Sequence, residues 1–228
     1  MPSSRDHWWY SPTSMLTFAD RALAQCAAHG SAPSGELQKA IGEGRAGAIF
    51  ALSLGKVLGV ETWMRLVHPR EGAPDVRVMY LESSGPRGSN RMMTLQVEVA
   101  TFTLHSSEEL SEFIFNKKLD PTKKAYASNT AILIYVQRGC TPQDIQAAHE
   151  YLADKGGRQS CYLVGMLPDR RWQVAQVAPN LRGPVTVDLA EALESEQAPV
   201  VQSKRGMSAL AVVDADPTAT PNPYLDRL

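Results

Sequence analysis

Two acidic residues have the types and the placement for chemistry. Asp75 follows Pro74 and opens an alternating stretch, Val76 to Glu82, in which Val76, Val78 and Tyr80 share one face and Arg77, Met79 and Leu81 the other. Glu98 lies inside a second such stretch, Gln96-Val97-Glu98-Val99, on one face with Gln96 and Ala100. The stretches are separated by Ser83 to Asn90, a turn by composition, so they read as an antiparallel hairpin. In a hairpin the start of one strand lies beside the end of its neighbour, which brings Asp75 toward Glu98. A carboxylate among valines in mid-strand is costly unless it is paired or bound to a metal. Two carboxylates at a sheet edge suit Mg²⁺, a hard cation that takes one or two carboxylates, waters and phosphate oxygens. Such an ion activates water and neutralises charge at a phosphate.

Each of these residues has a plainer reading. Asp75 after Pro is an ordinary turn residue, and Glu98 has Arg77, Arg91 or a helix Lys as a structural ion-pair partner. His68, Arg70 and Arg87 to Arg91 flank the candidate site as phosphate contacts or as solvated loop cations. Trp8, Trp9 and Tyr10 read as a base-stacking or partner-binding arm, or as a segment packed back on the body. His149-Glu150 has no second His at helical spacing, and there is no Walker loop, GxGxxG or nucleophile elbow.

The positioning elements follow from periodicity. Ser14 reads as the cap of a helix over 15–29, and Ser34 as the cap of a longer one over 35–58, with Gly42, Gly44 and Gly47 predicting a break or a close helix contact near residue 44. Residues 60–67 read as a strand or helix end. The hairpin strands, 76–82 and 92–104, are followed by a helix from Ser106 or Ser107 to about Lys118, punctuated by Asp120-Pro121. TAILIYV, 130–136, reads as the buried centre of a sheet. A helix over 141–155, strands over 161–167 and 172–177, a short helix over 187–194 and a strand over 207–213 complete the chain. The expected fold is α/β, a central mixed sheet flanked by helices.

Pro74-Asp75, Val97-Glu98-Val99, the helix carrying Lys117 and Lys118 with Lys123, Lys124 and Tyr126 after it, and AILIYV together resemble the PD-(D/E)XK, restriction-endonuclease-like nucleases over about residues 36–137. The resemblance implies an αβββαβ core with N-terminal helices and extra C-terminal strands. It implies metal ligands at Asp75 and Glu98 with the Val99 carbonyl as a third, and Mg²⁺ or Mn²⁺ as cofactor. It implies phosphodiester hydrolysis of DNA, less readily of RNA, and a homodimer for cutting both strands. The family's Lys two residues after the strand acid is Ala100 here. Some members supply that Lys from the following helix. Lys118, spaced with Leu110 and Ile114, is the first candidate for it and Lys123 the second. Taking Gln96 and Glu98 as the acid and Lys equivalents would leave the site short of a cation. Glu61, after the long helix, is a candidate extra ligand. With no usable Lys, the same scaffold would serve as an inactive protein- or nucleic-acid-binding module.

Composition bounds these readings. The chain has 228 residues, 43% hydrophobic and 21% charged, enough for one sizeable core. Its net charge of -1 is unlike a protein that binds nucleic acid with its whole surface. Residues 1–187 carry 20 Lys and Arg against 17 Asp and Glu, whereas residues 188–228 carry 3 against 7. The division predicts an N-terminal arm and helix over 1–35, the α/β domain over 36–187 and an acidic, Pro-rich segment over 188–228. No apolar run approaches a membrane span. Met1 to Tyr10 does not read as a secretory signal, and three widely spaced cysteines make neither a disulfide framework nor a zinc pattern. A cytoplasmic protein with buried, reduced cysteines is expected.

Overall fold

A computed structural model describes residues 7–67, 74–84, 89–120, 122, 125–156, 158–194, 200–203 and 210–212. Ten strands form one mixed sheet in the order β10-β9-β1-β2-β3-β4-β5-β6-β7-β8. The strands are β1 (His7–Tyr10), β2 (Thr62–Leu66), β3 (Val76–Ser84), β4 (Ser89–Phe102), β5 (Thr130–Val136), β6 (Cys161–Met166), β7 (Trp172–Ala178), β8 (Arg182–Val187), β9 (Val200–Ser203) and β10 (Leu210–Val212). Among the described residues, β4–β5 and β5–β6 are the parallel pairs. The helices are α1 (Pro12–Ala28), α2 (Gly35–Leu58), α3 (Leu110–Ile114), α4 (Pro142–Asp154) and α5 (Leu189–Leu193), and a π-helical turn over Phe115–Leu119 continues α3. The run α2-β2-β3-β4-α3-β5 is helix, three strands, helix, strand.

Strand periodicity divides the core between the two sheet faces. Val97, Val99 and Leu133 pack with Met64, Val76, Ile49 and Phe50 under α2. Phe102, Ile132 and Ile134 pack with Ile114, Ile145 and Leu152 under α3 and α4. Glu98 and Ala100 belong by parity to the second face.

Several local expectations are corrected. Helix α2 is unbroken through Gly44 and Gly47. The close contact, the other expectation, is what is found: a Cβ at Gly44 would lie 3.2 Å from the Met15 sulfur, and one at Gly47 would lie 3.0 Å from Met64 Cε and Val76 Cγ1. Helix α1 is capped by Ser11, whose Oγ accepts from the Ser14 N–H at 3.1 Å. Neither Ser106 nor Ser107 caps α3, which starts at Leu110 after Glu109. Strands β8 and β9 were not expected. The aromatic arm is strand β1, and Trp9 is buried with Trp63 and Met79, so that ring is not free to stack on bases. Strands β9 and β10 extend the sheet from the segment after residue 188, with β9 pairing to β1.

Strand β4 is longer than either neighbour, and this stagger creates the site. Its pairing with β3 ends at Val97↔Val76, whereas its pairing with β5 runs from Gln96↔Thr130 to Phe102↔Val136. From Glu98 onward β4 has a neighbour on one side only.

Candidate functional site

The end of β3 removes a ladder partner from β4, and Asp75 supplies a substitute. Continuing the β3–β4 register would put Pro74 opposite Val99, and Pro has no N–H to give. The Val99 N–H instead donates to Asp75 Oδ2 at 2.8 Å, while the Asp75 carbonyl accepts from the Val67 N–H at 2.9 Å. Asp75 therefore joins β2 to β4 immediately before the start of β3. In a strand, the N–H and C=O of one residue point to the same edge. The Val99 carbonyl thus faces the Asp75 side, where Pro74 offers it no donor.

Lys118 meets these carboxylates from the helical side. The π-helical turn is closed by the Asp120 N–H bonding the Phe115 carbonyl at 2.8 Å, a spacing of five residues. This corrects the regular i, i+4, i+8 ladder expected for Leu110, Ile114 and Lys118. Lys117 is exposed, whereas the Lys118 side chain is 11% exposed. Its ammonium donates to Glu98 Oε2 at 3.0 Å and lies 3.9 Å from Asp75 Oδ2. Of the structural partners considered for Glu98, it is thus a helix lysine, and neither Arg77 nor Arg91, that pairs with it.

Helix α2 adds two residues that sequence reasoning missed. Lys39 and Glu43, one helical turn apart, pair at 3.3 Å, and Lys39 Nζ lies 3.8 Å from Asp75 Oδ1. Burial pushes the Glu43 carboxyl up to about 7, with the Asp75 charge and a hydrogen bond to Asp75 adding to the effect and Lys39 opposing it. Lys39 is pushed up, chiefly by the Glu43 charge. The available signal was the i, i+4 pair itself, with an acid placed among the small and apolar residues of a buried helix. Glu61 is exposed beyond the C-terminal end of α2 and is not part of the cluster. Tyr126 joins it electrostatically: burial and the charges of Glu98 and Asp75 raise its hydroxyl to about 12.

The cluster sets two lysines, Lys39 and Lys118, among three carboxyls, Glu43, Asp75 and Glu98. Among the described residues no three His, Cys, Asp or Glu side chains form a ready-made metal cage. Mg²⁺ does not require one, because it characteristically binds through one or two carboxylates and keeps its waters. The Asp75 and Glu98 carboxylates with the Val99 carbonyl are an all-oxygen set that fits such an ion. The set carries no His or thiolate that would favour a softer metal. Lys123 and Lys124 lie outside the described residues, as do His68, Arg70 and Arg87.

A cleft of about 460 Å³ adjoins the cluster. Its walls are the first half of α2, including Gln38, Lys39, Gly42 and Glu43, and the ends of β4 and β5, including Val99, Thr101, Thr103, Tyr135 and Gln137. Ala100 also lines it, at the position where the resemblance calls for Lys.

Other residues have structural roles. His149 Nδ1 lies 2.9 Å from the Val177 carbonyl, tying α4 to β7. Cys26 and Cys161 are buried and all three cysteines are free. Burial pushes the Cys140 and Cys161 thiols up to about 12, so neither is a ready nucleophile. No helix among the described residues is long and apolar enough to cross a membrane. Comparison with protein-family models, with curated proteins and with solved structures found no match to this chain.

Proposed function

We propose that the chain is a metal-dependent nuclease of restriction-endonuclease-like type, hydrolysing phosphodiester bonds of DNA in preference to RNA. One observation carries this reading: the Lys118 ammonium lies within 4 Å of both Asp75 and Glu98. A cation supplied from the helix after β4 stands in for the strand Lys that Ala100 replaces. The order α2-β2-β3-β4-α3-β5, with an acid beside the start of β3 and another in β4, agrees with it.

Asp75 and Glu98, with the Val99 carbonyl, would hold Mg²⁺ or Mn²⁺. Bound there, the ion would lower the pKa of a coordinated water and offset charge at the phosphate. Hydrolysis joins the water oxygen to phosphorus and breaks one P–O bond to sugar, the leaving oxygen taking a proton. Lys118 donates to the attacking water or to a non-bridging phosphate oxygen, where negative charge grows in the transition state. The Val99 N–H fixes Asp75, so one ligand is aligned by backbone before substrate arrives. Glu43, near neutrality in its titration, holds a proton beside Asp75 and can pass it through the site.

The test is a plasmid nicking assay with Mg²⁺ or Mn²⁺ on wild type, Asp75→Ala and Glu98→Ala. Loss of nicking in both variants is expected; nicking that survives both refutes the site. A second reading, an inactive binding module on the same scaffold, has the Ala100 substitution in its favour. It would show as nucleic-acid or partner binding with no cleavage in either metal.

A further inference from the structure

We propose that the cleft between α2 and the ends of β4 and β5 holds one unpaired nucleotide of the substrate strand. That nucleotide adjoins the phosphate handled by Asp75, Glu98 and Lys118, so the proposal rests on the nuclease reading above.

Gly42 carries the argument. A glycine inside a helix costs about 1 kcal/mol relative to alanine. Gly44 and Gly47 have a packing reason for that cost, since a Cβ at either would lie 3.0–3.2 Å from neighbouring side chains. Gly42 has none: a Cβ there would meet nothing within 4 Å. The position faces the cleft, on one helix face with Gly35, Gln38 and Lys39. A side chain at residue 42 would project into the cleft, so glycine keeps the space open at the helix's expense. Close approach of a ligand to backbone is a recurrent use of glycine.

The lining selects the ligand. Beyond Lys39 and Glu43, at the border with the catalytic cluster, the walls are neutral: Gln38, Gln137, Thr101 and Tyr135. Amides and hydroxyls suit the edge of a base, which is polar and uncharged, and amides can bond it at two atoms. Tyr135 adds a half-buried aromatic ring of the kind on which bases stack. Lys39 sits where the nucleotide's phosphate would leave the cleft for the cluster. The volume of about 460 Å³ lies in the range of pockets that enclose one small-molecule ligand. A base stacked and paired in a duplex must leave the helix to enter such a space, whereas an unpaired base pays little to do so.

The experiment compares wild type, Gly42→Leu and Glu98→Gln on a single-stranded oligonucleotide and on the same strand annealed to its complement, in Mg²⁺ or Mn²⁺. Wild type should prefer the single strand. Gly42→Leu should raise KM for it by roughly 10- to 100-fold, the change that loss of one base-stacking contact produces. It should leave the melting temperature unchanged or higher, whereas Glu98→Gln should remove kcat. Gln137→Ala, at an exposed position on the opposite wall, repeats the test without touching a helix. If both wall variants cut the single strand as wild type does, the cleft proposal is overturned and the nuclease reading stands. If wild type cuts neither substrate, the nuclease reading fails. Calorimetric binding of a 5′-phosphorylated thymidine dinucleotide in Ca²⁺ then decides the cleft: binding weakened by Gly42→Leu supports it, and absent or unaltered binding overturns it.

Discussion

The Lys118 ammonium lies 3.0 Å from Oε2 of Glu98, although the two residues belong to different elements 20 positions apart. Both side chains are nearly buried, at 11% and 7% exposure. Removing one partner of such a pair leaves the other charge without compensation and typically costs about 3–5 kcal/mol. Lys118→Met should therefore be strongly destabilised in urea titration. The double variant Lys118→Met/Glu98→Gln should recover most of the loss. Equal stability of the single and double variants would show that the two side chains are not energetically coupled.

If Lys118 replaces the lysine expected at residue 100, the two positions should be functionally exchangeable. Ala100 shares the Glu98 face of β4 by strand parity and is only partly buried. Lys118→Met should abolish nicking, and Ala100→Lys added to it should restore a measurable fraction. Failure of the rescue, in a double variant shown to fold by circular dichroism, would mean that Lys118 does more than place a cation beside Glu98.

The legible part of this site lay in strand periodicity and in residues that break it. Glu98 between valines was conspicuous because it violates its surroundings, and Asp75 because it opens the neighbouring strand; the hairpin sets both within reach of Lys118. Lys118 was legible as a continuation of the Leu110 and Ile114 stripe, but for an incomplete reason. The turn that presents it is π-helical, and nothing local in Phe115–Leu119 encodes five-residue spacing. Glu43 was not legible because its significance depends on α2 crossing beside Asp75, a contact between elements. The three glycines around it suggested either a break or a close helix contact. They serve two different ends, close packing at Gly44 and Gly47 and open space at Gly42, and composition does not distinguish these. The aromatic arm packs back on the body, one of the readings its sequence offered, but that it does so as a strand was not legible, because its pairing with β2 and β9 is long-range.

Glu43 should make stability depend on pH in a defined window. Its carboxyl is raised from 4.5 to about 7, first by burial and then by the Asp75 charge. An acid whose folded value exceeds its unfolded one binds its proton more tightly when folded. Its favourable contribution is therefore present at low pH and is lost as pH rises from 4.5 through about 7. Glu43→Gln keeps the shape and removes the charge. Urea midpoints taken across this range should fall with pH more steeply in wild type than in Glu43→Gln. Parallel profiles would exclude a raised Glu43.

Ion binding should be visible without catalysis. A ligand that binds only the folded state stabilises it by RT ln(1 + [L]/Kd), about 2.7 kcal/mol at a hundredfold excess over Kd. For a chain of this size each kcal/mol moves the melting temperature by roughly 2–4 °C. Saturating Mg²⁺ or Mn²⁺ should raise the melting temperature of wild type by several degrees. Asp75→Asn keeps an oxygen to accept from the Val99 N–H but loses the charge, so its metal-induced shift should be much smaller. An equal shift in both proteins would move the ion elsewhere.

The contrast between two α2 glycines can be tested by stability alone. At Gly47 a Cβ would lie 3.0 Å from Met64 Cε and from Val76 Cγ1, and 3.2 Å from Val76 Cγ2. Val76 is fully buried and opens β3 directly after Asp75, so it can move only with the strand that carries the site. Overpacking of this kind costs about 1–3 kcal/mol. Gly47→Ala should accordingly lower the melting temperature and, by displacing the start of β3, also weaken metal binding at Asp75. Gly42→Ala adds a methyl into open space and removes the helix penalty of glycine, a gain of up to about 1 kcal/mol. Its melting temperature should rise. A fall at Gly42 comparable to that at Gly47 would mean that residue 42 is packed rather than facing an open cleft, and the nucleotide subsite would go with it.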